Sequence, residues 1–326
     1  MQSIADKLGV SKGTVSLVLS GKAKGKRVSD ELSQRIIKTA KEMNYQPNEL
    51  ARGLRTGYSK TIGLILADVS NEFFGLLAFH IQKMAKQLGF MVIITNTHES
   101  LDELNDVVVM LINRRVDGFI MVPSDGSETN VMKILEHKIP LVLVDRYFDN
   151  INTSYVVLDN YQASVDLTKK LITYGCKKIA MIRHKNSLSV TKERTNGCID
   201  ILVAEGMYDE KLIKDIRYTN EENDIKRAIK ELKEDFIGVD AIFFHSHRLF
   251  VIGVKNMLKL GIRIPEDIHV GCFDKIDAFA MSYFPIVYVE QPIKDMAEKS
   301  VDILVKQIEK GNIIEQCKYL AKIGSN

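Results

Sequence analysis

Two sets of polar residues carry the chemical content of this 326-residue sequence. The first is compact: Ser11, Lys12, Gly13, Thr14, Ser16 and Leu17. Hydroxyls, a cation and a small apolar contact within seven residues suit the phosphates and base edges of a nucleic acid. The second is dispersed. Asp68, Ser124, Asp145, Arg146, Asn160 and Asp274 each follow an apolar run, and Arg194 opens a later helix. Carboxylates, a guanidinium and the aromatic pair Phe73-Phe74 suit a polyhydroxylated or ring-shaped small molecule. The plain alternatives are that strand-end Asp and Asn cap loops and that Phe73 and Phe74 belong to a core.

The compact set needs a narrow helix. Ile4, Ala5 and Leu8 share one face of a first helix, and Gly9 follows as a left-handed stop. Ser11 caps a second helix with Val15, Val18 and Leu19 turned inward, leaving Lys12, Gly13, Ser16 and Leu17 for a partner. This is a helix-turn-helix, whose second helix fits a B-DNA major groove. A third helix runs from Ser29 to Met43, with Leu32, Ile36, Ala40 and Met43 in one stripe. The loop Gly21–Lys26 lacks the spacing of a nucleotide-binding loop, and Arg27 stands where Ser or Thr is required. Its lysines and Arg27 read as phosphate-backbone contacts.

Charge agrees. Residues 1–60 hold 12 Lys/Arg against 5 Asp/Glu, net +7, so the rest of the +3 chain carries −4. Next comes Asn44–Arg55, where Pro47 starts a helix of about two turns containing Gly53. So short a helix is unstable alone. It reads either as a plain linker or as a segment that orders on DNA, with Arg52 and Arg55 near phosphates and Leu54 as a minor-groove wedge.

From Thr61 onward apolar strands alternate with amphipathic helices. Strand 62–66 precedes a helix near 74–88, with Leu77, Ile81, Met84 and Leu88 on one face. Strands follow at 90–94, 118–122 and 141–144, with a helix carrying Leu104, Val108 and Leu111 after the first. The second half repeats the scheme with strands at 155–158, 178–182, 241–244 and 269–273 and helices ending near 173, 205 and 260. Gly89, Gly175, Gly206 and Gly261 each follow a helix. Continuous apolar strands between helices indicate α/β architecture with parallel sheets covered on both faces, in two Rossmann-like halves. Ligands in such sheets bind beyond the carboxyl ends of the strands.

The motifs Gly9-Val10-Ser11-x-x-Thr14-Val15-Ser16 and Asn44-Tyr45-x-Pro47-Asn48-x-x-Ala51-x-x-Leu54 resemble the LacI/GalR family of bacterial transcription regulators. The likeness continues through Ser70-Asn71-x-Phe73-Phe74, Val144-Asp145-Arg146, Asp159-Asn160, Arg194, Pro265-Glu-Asp267, Phe273-Asp274 and Gln291-Pro292. It implies a helix-turn-helix head over 1–45 and a hinge helix and linker over 46–60. Two lobes like those of periplasmic binding proteins would follow: 61–160 with 291–320, and 161–290 with 321–326. It implies DNA contacts from the second helix and from Asn48, Ala51, Arg52, Leu54 and Arg55. Effector contacts fall to Asp145, Arg194 and Asp274, with Phe73, Phe74, Ser124, Arg146 and Asn160 beside them. The implied partners are a double-stranded operator, a sugar-like or purine-like effector and a second copy of the chain.

Departures are informative. Members of the family commonly read a base with Arg where Leu17 stands, so this chain's readout runs through Lys12 and an apolar contact to a thymine methyl. The Thr that usually caps the first helix would precede Met1, and 23–26 resembles a small insertion. Ser246-His247 replaces a common Asn-Asp, which makes Ser246 a candidate contact in an altered pocket.

Other classes are disfavoured. No apolar run reaches membrane-spanning length and no apolar signal segment opens the chain, which reads as cytoplasmic. Cys176, Cys198, Cys272 and Cys317 lack metal spacing and read as reduced thiols, and the His245/His247 pair lacks further ligands. We expect no metal, no cofactor and no enzymatic activity, since no nucleophile elbow or phosphate loop is present. The second reading is a cytosolic small-molecule-binding protein with a degenerate head.

Overall fold

The computed structural model describes residues 1–21, 23, 28–45, 57–234, 238–311 and 313–326. The chain divides into two compact units, Met1–Ser59 and Lys60–Asn326.

The first unit contains α1 (Gln2–Leu8), α2 (Lys12–Leu19) and α3 (Asp30–Glu42). Local chemistry sets their ends. Gly9 takes φ 65° after α1, the left-handed turn that glycine adopts without a β-carbon clash. Ser11 and Ser29 accept hydrogen bonds from the backbone amides of Thr14 and Leu32, which caps α2 and α3. The core is small: Ile4, Ala5, Val15, Val18, Ile36 and Ala40, with Leu8, Leu19, Leu32 and Tyr45 at its edge. Met43, expected in the α3 stripe, is instead 40% exposed, because it follows the last helical turn.

The second unit contains two six-stranded sheets. The first is built from β1 (Thr61–Leu66), β2 (Met91–Asn96), β3 (Gly118–Met121), β4 (Leu141–Val144), β5 (Ser154–Leu158) and β11 (Gln316–Tyr319). The second holds β6 (Ile179–His184), β7 (Ile213–Ile216), β8 (Ala241–Phe244), β9 (His269–Phe273), β10 (Val287–Glu290) and β12 (Lys322–Ser325). Their orders, β11-β5-β4-β3-β1-β2 and β12-β10-β9-β8-β6-β7, repeat one doubly wound pattern. All pairings are parallel except β10 with β12, so the second sheet departs from the all-parallel expectation. The 155–158 strand, read as opening the second repeat, pairs with β4 in the first sheet.

Helices α4 (Glu72–Gln87), α5 (Leu101–Asn113), α6 (Glu128–Glu136) and α11 (Ile293–Lys310) cover the first sheet. Helices α7 (Asn160–Thr173), α8 (Ser189–Ala204), α9 (Glu221–Glu234) and α10 (His247–Lys259) cover the second. The chain passes between sheets from β5 into α7, from β10 into α11 and from β11 into β12. Leu88, expected on the buried face of α4, is 42% exposed at the helix end, and Ala85 is buried there instead. Gly89, Gly175, Gly206 and Gly261 all stand at positive φ after their helices.

Six buried apolar side chains among the described residues are few for a core, so each counts heavily. Ile36→Ala is expected to cost about 2–5 kcal/mol. Calorimetry should show the head transition lowered or lost, with the transition of residues 60–326 unmoved.

Candidate functional site

A cavity of about 310 Å³ lies where the carboxyl ends of both sheets meet. Its walls are the residues that leave the strands: Asp68 after β1, His98 and Glu99 after β2, Asp145 and Arg146 after β4. From the other lobe come His184 at the end of β6, Tyr218 after β7, His245 and Ser246 after β8, Asp274 after β9 and Gln291 after β10. Parallel strands aim all their carboxyl ends the same way, which is why residues so distant in sequence converge here. Phe73 and Phe74 enter from the first turn of α4, and Thr191 and Arg194 from α8.

The charges are buried. Arg146 and Arg194 are each 6% exposed, Asp145 7% and Asp274 8%. Asp145 and Asp274 occupy matching places in the two lobes and share a left-handed backbone, φ 69° and φ 71°. Such a conformation in a non-glycine residue costs roughly 1–3 kcal/mol and clusters at functional sites.

The hydrogen bonds differ between the two aspartates. Asp274 accepts from Gln291 Nε2 at 2.6 Å and has His247 Nδ1 at 3.2 Å. Burial pushes its carboxyl up, but the His247 bond, Arg194 and Gln291 outweigh this and hold it below the usual value. Asp145 has Arg146 Nε at 3.5 Å, too long for a good hydrogen bond. Burial pushes its carboxyl up from 3.8 to about 6, against the pull of Arg146 and Arg194. Arg146 donates to Glu99 through both Nη atoms, at 2.8 and 3.1 Å, and to the Pro123 carbonyl at 2.9 Å. Its Nε is buried without a hydrogen-bond partner. Arg194 donates to Asn160 Oδ1 at 2.8 Å and to the His245 carbonyl at 2.5 Å, and lies 3.8 Å above the Phe273 ring. His245 is held well below its ordinary pKa by burial and by Arg194, so it stays neutral.

Two features frame the mouth. Tyr218 stacks on His184 at 3.8 Å and 9°, forming a flat side wall. His184 and Arg248 both reach Glu221, each at 2.7 Å, and Arg248 spans to Asp68 of the other lobe at 3.4 Å. Further polar contacts join the lobes: Ser187 to Asp125 at 2.5 Å, the Tyr147 hydroxyl to Glu193 at 2.8 Å and the Asp277 amide to Glu72 at 3.2 Å.

Of the residues expected from sequence, Phe73, Phe74, Asp145, Arg146, Arg194, Ser246 and Asp274 line this cavity. Ser124 and Asn160 do not. Ser124 is fully buried beside Thr97, and Asn160 sits behind Arg194 and fixes its Nε. Ser246 also caps α10 through the Leu249 amide. His98, Glu99, His184, Thr191, Tyr218, Arg248 and Gln291 were missed. The strand-end rule, applied to every strand, reaches His98, Glu99, His184 and Gln291. Tyr218 required β7, whose half-buried Ile-Lys-Asp-Ile gives little periodicity.

In the head, Lys12 and Gly13 are exposed at the start of α2, and Ser16 and Leu17 are half-buried. The Ser11 and Thr14 hydroxyls lie 2.9 Å apart and are partly engaged with each other. Arg27, Asn48, Ala51, Arg52, Leu54 and Arg55 lie outside the described residues. Among the described residues no group of three or more His, Cys, Asp or Glu could hold a metal, and no helix is long and apolar enough to cross a membrane.

The folded Asp145 carboxyl keeps its proton up to about 6, against 3.8 for the ordinary group. The folded state therefore binds the extra proton between these values, and stability falls as pH rises through that window. Asp145→Asn should be more stable than the parent by about 1–3 kcal/mol above pH 7. In urea titrations the gap should close below about pH 4, where the carboxyl is protonated in both states.

Known proteins share both the pattern and the fold. The profile "Bacterial regulatory proteins, lacI family" matches residues 1–48. "Periplasmic binding proteins and sugar binding domain of LacI family" matches residues 59–312. The ribose operon repressor of Halalkalibacterium halodurans is 31% identical over 313 residues, spanning 95% of this chain and 90% of that protein. The transcriptional regulator KdgR of Bacillus subtilis is 26% identical over 314 residues, spanning 95% of this chain and 91% of that protein. The crystal structure of the lac repressor dimer bound to operator and the anti-inducer ONPF superposes with a TM-score of 0.85 at 18% identity. It covers 98% of this chain and 96% of that one, a likeness of fold. With the two profiles spanning head and lobes in order, and a relative this similar over nearly its whole length, the chain belongs to the LacI family of bacterial transcriptional regulators.

Proposed function

We propose that this chain is a homodimeric, sequence-specific repressor whose operator affinity is set by a sugar or sugar-like molecule held between the two lobes. The observation that carries the effector half is Asp145, a buried carboxylate with no good donor, facing Arg194 and Asp274 across the cavity. Hydroxyl groups of a polyol supply the missing donors, while Arg194 offers a cation to ring or hydroxyl oxygens. The Phe73–Phe74 pair and the Tyr218–His184 stack give apolar faces to a ring. The 31% identical relative carries the name ribose operon repressor, which favours a sugar.

The head supports the DNA half. The start of α2 presents Lys12 and Gly13 without side-chain bulk between them, the shape that enters a major groove. Phosphate contacts come from Lys12, Arg27, Arg52 and Arg55, minor-groove contact from Leu54, and supporting contacts from Asn48 and Ala51. Large apolar side chains are exposed on both lobes, Phe79 at 57%, Met91 at 69%, Met281 at 82% and Tyr283 at 84%, and pairing with a second copy would cover them. Ligand closure of the lobes changes the spacing of the two chain segments that enter β1. DNA affinity changes with it through linkage.

Anisotropy titrations of the full chain on fragments of its own promoter test the proposal. Affinity should fall steeply with salt, by about one unit of log–log slope per phosphate contact. It should vanish on deletion of residues 1–58 and change when a sugar is added. Absence of binding to every promoter fragment, with and without sugars, would overturn it. For the cleft, calorimetry against monosaccharides and purine bases should show a sugar bound. Arg194→Met should weaken that sugar at least about 100-fold, since the lost hydrogen bonds are to a charged group. Sugar affinity should also fall below about pH 6 as Asp145 takes its proton. Tight binding of a purine in place of every sugar would reassign the effector.

A further inference from the structure

We infer that Glu99 makes the cleft selective for an uncharged ligand, so that the effector is a free sugar or polyol and not a sugar phosphate or sugar acid. The inference rests on the cleft being the small-molecule site proposed above.

Three guanidiniums face the cavity: Arg146, Arg194 and Arg248. Unpaired, they would make a site for a phosphate or carboxylate, because the guanidinium fork matches such anions. Arg146 and Arg248 are instead paired with carboxylates, and Arg194 is partly engaged. Arg248 holds Glu221 and Asp68. Arg194 is fixed by Asn160 and the His245 carbonyl, with Asp145 and Asp274 the nearby charges that act on it. Arg146 is filled by Glu99, whose two carboxylate oxygens pair with its two Nη atoms in the fork-to-fork geometry an anionic ligand would use. Glu99 thus occupies the place of the anion.

The local backbone favours this role. His98 and Glu99 are consecutive left-handed residues, φ 49° and φ 59°, separated from the end of β2 by Thr97. Neither is glycine, so the turn is costly, and it directs the Glu99 side chain, 19% exposed, at the cavity rather than at solvent. An arriving phosphate would meet the carboxylates of Asp68, Glu99, Asp145 and Asp274 in the walls, and would have to displace Glu99 to reach Arg146. A neutral polyol has no such conflict. Its hydroxyls donate to Asp145 and leave the Arg146–Glu99 pair in place. Discrimination here comes from a repulsive element as well as from attractive contacts.

The test is calorimetry on the full-length parent and Glu99→Gln, using D-ribose, D-glucose, ribose 5-phosphate, glucose 6-phosphate and inorganic phosphate. The parent should bind a free sugar more tightly than its phosphate ester and show no heat with inorganic phosphate. Glu99→Gln should gain at least about tenfold affinity for inorganic phosphate or a phosphate ester, equivalent to about 1.4 kcal/mol. Adding Arg146→Met to that variant should remove the gain. A merely structural Glu99 would produce loss of fold or of sugar affinity, and no gain toward anions. The inference is overturned if the parent prefers the phosphate ester, or if a folded Glu99→Gln binds phosphate no better than the parent. The comparison within the parent needs no variant to fold. Absence of sugar binding by the parent would overturn the effector reading alone, and the phosphate titrations of Glu99→Gln would still decide the role of Glu99.

Discussion

Charge held out of water at the meeting of the two sheets is the constraint that organises the effector unit. An isolated buried carboxylate or guanidinium is untenable unless paired or hydrogen-bonded. Arg146, Arg194, Asp145 and Asp274 are all nearly buried, and much of the surrounding structure serves to make that tolerable. Glu99 and the Pro123 carbonyl take the two Nη atoms of Arg146. Asn160 and the His245 carbonyl satisfy Arg194, and Gln291 and His247 serve Asp274. Asp145 is left short of donors, and the neighbouring Arg146 Nε lacks an acceptor, so unmet hydrogen-bonding capacity gathers where these two residues meet.

The two-sheet plan makes such an arrangement attainable. Each sheet has the same strand order, so each lobe ends in a similar crescent of loops. Asp145 after β4 and Asp274 after β9 are the matched products of that repetition, down to their left-handed backbone. The lobes are tied by polar contacts around the rim, such as Arg248–Asp68 and Tyr147–Glu193, rather than by a shared apolar core. Apart from Leu158 at the end of β5, the large buried clusters stay within single lobes. Polar rim contacts exchange readily with water, whereas an apolar core would weld the halves together. A ligand that supplies bonds to both halves can therefore bias their closure at small cost.

The head works by different physics. Its six-residue core is only large enough to hold three short helices, and two serine caps set where α2 and α3 begin. What it offers a partner is a polar helix start and positive charge, the features that give phosphate positioning and a limited set of base contacts. Leu17 is half-buried on α2, between the core and the exposed start of the helix.

Local signals are legible in the sequence. The apolar periods of α1 to α3, the Ser11 and Ser29 caps, the glycine stops and the strands at 141–144, 241–244 and 269–273 all follow from side-chain size and backbone preference within a few residues. So do the polar residues just after strands, among them Asp145, Arg146 and Asp274. What sequence could not settle is anything that depends on pairing across long separations. The place of β5 in the first sheet, the antiparallel β12, Asn160 acting behind Arg194, and Glu99 filling the Arg146 fork are each decided by which distant backbones and charges meet. A residue's type and its neighbours specify what it is able to bond. Only the folded chain decides whether a partner within the protein has already taken that bond or whether it is left for a ligand.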